Sequence, residues 1–425
     1  MKKKKAPLGR RMKEFVKTSV VWGPLDHNLF FTIIFLNVYG IIMVYSASYN
    51  NSITKNYSYF MNNQLKNVIF GFVIMIVALY VNYHRIVRLG WGWFWLLAAV
   101  AIIAALKTPL AHSELGATRW IKLGPVSFQA AEPIKAAIII FFAYYVSYWG
   151  LNRWYNQLLA CLLAIALLGF LFFFSNNLST VIVLFCICAV IILSSVKKPD
   201  LYWYFLLGLA LIIIAAIFVT VYLLMHQGAE NFRFVRIRAW LHPEEYAADE
   251  GLQAMQARYA IGAGGFWGKG LGQSLIKFKL SYSYNDFILA IICEELGVFG
   301  VIVMMTLFGY LLYRIYKIAQ NAWDIEGKVL AIGVFTQIAL QLLINVMVVT
   351  SVIPTTGVTL PFFSAGGTSV VFLLAELGMV LNVDKYAKER RFFEEAERHV
   401  AQMEQRGGIG AAGWRRRLDS ARTRR

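Results

Sequence analysis

Apolar residues in this chain run in blocks close to 20 residues long, not in short amphipathic stretches. As a helix, a block of that length crosses about 30 Å of hydrocarbon. Ten such blocks are legible, near 29–47, 66–82, 91–107, 133–149, 157–174, 178–194, 203–225, 298–316, 329–350 and 366–383. The pattern predicts an all-α, polytopic membrane protein of about ten transmembrane helices with one large extracytoplasmic loop, near 226–285. It divides the chain into a segment 1–28, a transmembrane domain 29–384 and a tail 385–425. The first block follows a basic stretch, and "VYSASYN" after it lacks a clean small-x-small cleavage site, so an uncleaved first span is expected.

Charge refines the picture by its placement. The net charge of +18 raises the question of nucleic acid. The basic residues cluster instead at Lys2–Lys5, Arg10, Arg11, Lys13 and Lys17, and again at Arg390, Arg391, Arg415–Arg417, Arg424 and Arg425, flanking spans. The positive-inside rule then puts both termini in the cytoplasm, which an even number of spans permits, and no nucleic-acid partner is expected. Two long loops face outward on this reading, near 108–132 and 226–285. Cys161, Cys186, Cys188 and Cys293 fall in or beside spans with no zinc or disulfide spacing, so packing is their expected role.

Several polar motifs interrupt this apolar text. "GATRWIKLGP" places Arg119 and Trp120 between glycines, a composition that suits an interfacial anchor. In "QAAEPIK", Glu132 and Lys135 are three apart on one helical face, near a helix start marked by Pro133. They read equally as a cap with a structural ion pair or as a polar cluster lining a cavity. The glycine run from Gly262 to Gly272 is no dinucleotide fingerprint, because Trp267 stands where the last glycine belongs and no strand precedes it. It suits tight turns and close approach to a ligand. Arg236, Arg238 and Lys269 share that loop and suit an anionic headgroup such as pyrophosphate. "TTGVTLPFFSAGGTS" reads as non-helical chain, tolerated at membrane depth only where it is buried or lines a cavity.

The stretch "SYSYNDFILAIICEELG" holds Asp286, Glu294 and Glu295, and carboxylates at membrane depth are costly. On a straight helix Glu294 lies about 80° round from Asp286 and about 12 Å along it. That does not supply the paired carboxyls, roughly 5 to 9.5 Å apart, of a glycosidase. Asp286 is therefore expected to work as a lone base, with Glu294 and Glu295 in structural pairing. Asn285 before it is a candidate helix cap.

Together, "GATRWIKLG", "GLQAMQARYAIGAGGFWGKGLGQS", "NDFILAIICEELG" and "VIPTTGVTLPFFSAGGTS" resemble the SEDS family, that is FtsW, RodA and their sporulation relatives, over roughly residues 25 to 384. The Asn-Asp-Phe and Ile-Cys-Glu-Glu wording leans toward the FtsW-like branch. The resemblance implies a peptidoglycan glycosyltransferase of the bacterial cytoplasmic membrane that polymerises lipid II on the outer face. It implies a class B penicillin-binding protein and divisome or elongasome components as partners, and dependence on a divalent cation, magnesium or manganese, without an organic cofactor. The family's essential aspartate falls on Asp286, and family positions important for activity fall on Arg119, Trp120, Glu132 and Lys135. Departures surround the aspartate: Leu280-Ser281-Tyr282 and Tyr284-Asn285 replace the usual Leu-Pro-Glu and His-Thr, and Ala365 replaces a tyrosine. A flippase for a lipid-linked precursor is the alternative reading, with Glu294 and Glu295 in the transport path. A scaffold that only recruits a synthase is a third.

Overall fold

The computed structural model describes residues 24–48, 59–109, 111–114, 117–123, 126–175, 177–196, 232–246, 250–278, 285–365, 367–405 and 415. The seventh expected span, 203–225, lies outside the described residues. The other nine expected spans fall on helices: α1 (His27–Ser48), α2 (Tyr59–Tyr80), α4 (Trp93–Ala105), α5 (Ala131–Trp149), α6 (Trp154–Ser175), α7 (Leu178–Ser195), α10 (Ile288–Gln320), α11 (Ile325–Val349) and α12 (Thr368–Gln405). The short α3 (Tyr83–Val87) follows α2, and α8 (Phe232–Leu241) and α9 (Glu250–Gly264) belong to the long loop before α10. Six of the described helices are long and apolar enough to cross a membrane by length and composition.

Helix α5 is the hub, packed against α4, α7, α11 and α12. Its residues from Ala137 to Val146 are all buried, with Phe141, Phe142 and Tyr145 among the largest enclosed side chains. The outer helices are apolar on both faces. On α1, Leu29, Ile33 and Leu36 point inward while Phe31 and Phe35 are exposed. Apolar surface on the outside as well as the inside is what a hydrocarbon solvent selects.

One end of the bundle carries short connections. Asp26 pairs with Arg314, Arg88 with Glu326 at 2.8 Å, and Arg391 reaches the Asn321 carbonyl. The other end carries the long loops. There the chain departs from purely helical structure in a three-stranded antiparallel sheet of β1 (Ala111–Glu114), β2 (Ala117–Leu123) and β3 (Val126–Gln129), in the order β1-β2-β3. The alternation in "ATRWIKL", rich in β-branched and aromatic residues, explains the central strand.

Residues 288–296, which follow Asp286, and the eighth expected span form one helix, α10, broken at Gly297 with φ 65° and ψ −163°. The glycine run lies across this break. Lys269 and Gly270 N–H donate to the Glu294 and Glu295 carbonyls at 2.9 Å, and Val298 and Phe299 N–H donate to the Gly265 and Phe266 carbonyls at 3.1 Å. The groups orphaned by the break are thereby paired. A Cβ on Gly268 would stand 2.2 Å from the Glu295 oxygen, and one on Gly264 1.8 Å from the Cys293 oxygen. The close approach expected of these glycines is thus to the backbone of α10 itself rather than to a ligand.

Candidate active site at the loop end of the bundle

Asp286 lies in a turn, 285–287, immediately before α10. Phe287 is the N-cap of α10, so Asn285 does not cap it. Two side chains fix the turn by its backbone. Asn345 on α11 donates to the Asp286 carbonyl at 3.0 Å. Ser364 donates to the Asn285 carbonyl at 2.8 Å while accepting from Leu360 N–H at 2.7 Å. Phe287 is buried and Asp286 half-buried. The backbone of the aspartate is held while its side chain stays at a partly open surface.

The Asn345 amide also donates to the Val358 carbonyl at 3.0 Å. Val358 belongs to the irregular segment 351–365, and with Gly357 and Thr359 it forms one wall of a cleft of about 350 Å³. Gln129 of β3, Glu132 and Lys135 of α5, Asn177, Ser179 and Thr180 at the start of α7, and Gln341 of α11 supply its other polar lining. Ser179 Oγ donates to the Thr356 carbonyl at 2.9 Å, tying the segment to α7. The expectation that 355–369 is non-helical holds for 355–365, where Leu360, Phe362 and Phe363 are buried and Gly357, Val358 and Thr359 line the cleft, whereas Thr368 and Ser369 already belong to α12.

Lys135 Nζ lies 2.9 Å from the Glu132 carboxylate, and both side chains are buried. Both readings of this pair hold together: they are an ion pair and they line the cavity. The first turns of α5 and α7 both open on the cleft, where the positive ends of helices suit an anion. Trp120 is half-buried and pairs across the sheet with Gln129, which joins the first motif to the cleft wall. Arg119 precedes it on β2.

The basic residues of the long loop are placed differently. Arg236 lies on α8 beside a second hollow of about 260 Å³, with Trp240, Ser351 and Thr355. Trp240 Nε1 donates to the Ser351 carbonyl at 2.9 Å, so the segment 351–359 runs from this hollow to the first. Arg238 is half-buried on the same helix. Lys269 is not in the cleft; its Nζ is 2.7 Å from Glu294.

Glu294 also accepts from the Ser274 hydroxyl and from Leu275 and Ile276 N–H at 3.2 and 3.4 Å. Glu295 accepts from the Ser46 hydroxyl and Ser274 N–H, with Lys277 Nζ at 3.6 Å. These carboxylates are fully buried and tie α10 to α1 and the glycine loop, which is the structural pairing expected of them.

Asn345 and Gln341 escape a motif-based reading, and Ser364 enters it only as part of "TTGVTLPFFSAGGTS". The signal for two of them is a spacing: Gln337, Gln341 and Asn345 recur every four residues in an otherwise apolar helix, a polar stripe on one face. Among the described residues, no group of three or more His, Cys, Asp or Glu is arranged to hold a metal.

Comparisons with known proteins agree with this geometry. The FtsW/RodA/SpoVE family model, described as a cell cycle protein, matches residues 26–389. The chain is 31% identical over 382 residues to a probable peptidoglycan glycosyltransferase FtsW of Trichlorobacter lovleyi, covering 88% of this chain and 96% of the relative. It is 33% identical over 370 residues to stage V sporulation protein E of Bacillus subtilis, covering 84% and 96%. Among solved structures, a chain of a peptidoglycan synthase complex, studied for its coordination of polymerization and crosslinking, superposes with a TM-score of 0.70 at 22% identity over 86% of this chain and 99% of that one. The rod shape determining protein RodA of Thermus thermophilus superposes with a TM-score of 0.61 at 22% identity, with the same coverage. These two likenesses establish the fold, and the family match and the relatives above 30% identity establish the lineage: the chain belongs to the FtsW/RodA/SpoVE family.

Proposed function

We propose that this protein polymerises lipid II into glycan strands, with Asp286 as the base that takes the proton of the acceptor sugar hydroxyl. One observation carries the reading: the Asn345 amide donates to the Asp286 carbonyl and to the Val358 carbonyl in the cleft wall at the same time, which ties the backbone of the aspartate to the wall of the Glu132–Lys135 cleft. The relatives named as probable peptidoglycan glycosyltransferases support it. A polyprenyl pyrophosphate leaves readily, so the reaction needs no general acid, and one base suffices for the attacking hydroxyl. Lys135 and the helix N-termini at the cleft supply fixed positive charge for the pyrophosphate. Arg236 and Arg238 extend this charge along segment 351–359, whereas Lys269 acts by holding Glu294.

A divalent cation fits this site only in company with its substrate. The described residues offer no cage of three ligating side chains, but Asp286 offers one carboxylate. Magnesium commonly takes one or two carboxylates and fills its remaining positions with substrate phosphates and water. When bound, such an ion supplies neutralisation of the departing pyrophosphate, and none of the steps above passes through it.

The same reading places the loop end outside and the short-connection end in the cytoplasm. Arg88, Arg314 and Arg391 at the short end support that orientation. A class B penicillin-binding protein is the partner that crosslinks the product. The transport alternative loses its footing, because Glu294 and Glu295 are committed to Lys269, Lys277 and two serines.

The test is polymer made from lipid II by purified protein. Asp286→Asn preserves size and the backbone bonds to Asn345, and removes the base. Polymerisation should fall about 10²- to 10⁴-fold. A rate near wild type in that variant would move the base to another residue of the cleft.

A further inference from the structure

The first N–H groups of a helix have no partner within it and need a cap. Gly367, which precedes α12, has no side chain to supply one, and Thr368 Oγ1 and Ser369 Oγ are enclosed with no hydrogen bond among the described residues. Helix α2 lies along α12 in parallel register. A Cβ on Gly71 would stand 3.3 Å from Val371 Cα, one on Gly378 2.5 Å from the Met75 carbonyl oxygen, and one on Gly367 3.3 Å from Asn67 Nδ2. Asn67, Gly71 and Met75 thus face α12, and Gln64 extends their spacing by one turn, onto the chain that enters α12. Gln64 is 1% exposed, and its Nε2 is enclosed without a partner among the described residues. A buried amide donor left unbonded calls for a reason. Asn67, Gly367, Thr368 and Ser369 are half-buried, and Lys66 is exposed on the same turn as Gln64, so the place opens to the surface.

We propose that the start of α12 binds the phosphate of a lipid headgroup, with Gln64 Nε2, Asn67 Nδ2 and the first N–H groups of the helix as its donors. Free N–H groups at a helix N-terminus suit phosphate, and the two amides add donors that aim the same way. Resting on the polymerase reading, the ligand is the pyrophosphate of a second lipid-linked molecule. Glycosyl transfer between two lipid-linked sugars brings two pyrophosphates to one aspartate. One leaves, and the other stays on the molecule whose hydroxyl attacks. The Lys135 cleft serves one of them. The Asp286 turn is tied to both places: through Asn345 to the cleft wall at Val358, and through Ser364, four residues before Thr368, which donates to the Asn285 carbonyl at 2.8 Å.

The test titrates the purified full-length protein in detergent with a polyprenyl pyrophosphate and counts bound molecules by native mass spectrometry. Wild type should bind two. Gln64→Met, equal in length but without donors, should weaken one of them about tenfold and leave the other. Asn67→Asp, on the half-buried side, should weaken the same molecule further, and Asn67→Lys should tighten it. The melting temperature without ligand should hold or rise in Asn67→Asp, because a carboxylate suits a helix N-terminus. Lys135→Ala should remove the other molecule, and the double variant with Asn67→Asp should lose both. Unchanged affinity in Gln64→Met and Asn67→Asp overturns the proposal. So does an equal loss in Asn67→Asp and Asn67→Lys, which marks packing and not charge. Phosphatidylglycerol that competes for this place as well as the polyprenyl pyrophosphate overturns the assignment to a second substrate in favour of a phospholipid headgroup. A single bound molecule, lost in Lys135→Ala, overturns the second site and leaves the polymerase reading standing. Wild type that binds at the start of α12 and makes no polymer from lipid II overturns the polymerase reading and leaves the site.

Discussion

Glu294 and Glu295 receive bonds from backbone N–H groups, serine hydroxyls and two lysines. Glu132, at the same end of the bundle, meets the Lys135 ammonium at the wall of a cleft. Both sets are buried lysine–carboxylate arrangements in a membrane protein, and their charges alone do not distinguish them. The surroundings do. The first set is enclosed by the glycine loop and spends its hydrogen-bonding capacity on holding the break in α10 closed. The second stands beside open volume at two helix starts, where a ligand can displace or share the ammonium. A buried ion pair is therefore a poor guide to function until its remaining donors and acceptors have been followed.

The comparison breaks most visibly at Lys277. Its side chain is 1% exposed beside the fully buried Glu295. Lys277→Ala leaves that carboxylate without its cation, a change that costs about 3 to 5 kcal/mol in buried pairs. The expected outcome is a large fall in melting temperature of the purified protein, with specific activity per folded molecule near wild type. Normal stability in this variant would mean that the enclosed set is not what holds the loop to α10.

Lys135→Ala should behave in the opposite way. Glu132 keeps the positive end of α5 and borders the cleft, so its loss of partner costs less stability. The lost contact to an anionic substrate is worth about 1.5 to 3 kcal/mol, or about tenfold to a hundredfold in kcat/KM. Thermal unfolding and polymerisation measured on the same preparation decide it. If Lys135→Ala unfolds like Lys277→Ala and its folded fraction polymerises normally, the two sets are equivalent and the cleft is not the site.

The sequence made some of this legible and not the rest, for physical reasons. Spans announce themselves because hydrocarbon admits little but long apolar helices, and the residues at 355–369 announce a break because Pro, Gly and Thr at that density disfavour one. Asp286 is expected as a lone base because no second carboxyl is correctly spaced from it on a helix. The sheet at 111–129 was hidden because strands of four to seven residues between spans look like loop. The glycine run announced a close approach but not its partner, because the Glu295 carbonyl it meets becomes its neighbour only through tertiary folding. Asn345 and Ser364 matter through the backbone carbonyls they face, which a side-chain motif does not encode.

A third carboxylate, at the short-connection end, sharpens the contrast with the smallest effect. Asp324 caps α11 by accepting from Gly327 N–H at 2.8 Å. It also meets His84 Nε2 at 2.5 Å and the Tyr83 hydroxyl at 2.9 Å. Burial pushes its acidity toward weaker, but the bonds from His84, Gly327 and Tyr83 outweigh burial and hold the carboxyl below its ordinary value of 3.8. A carboxyl depressed in the folded state stabilises above its unfolded value and loses that contribution as pH falls through the folded one. Asp324→Asn caps as well as Asp, and forfeits only the charged part of these contacts. The side chain is a quarter exposed, at 26%, so the difference should be under about 1 kcal/mol, the scale of a pair that water reaches. Melting curves of wild type and Asp324→Asn should differ near neutral pH and converge as pH drops below 3.8. A gap that persists unchanged in acid would mean that Asp324 acts by shape and capping alone. Its closure in acid would show that charge contributes to stability where water can titrate it.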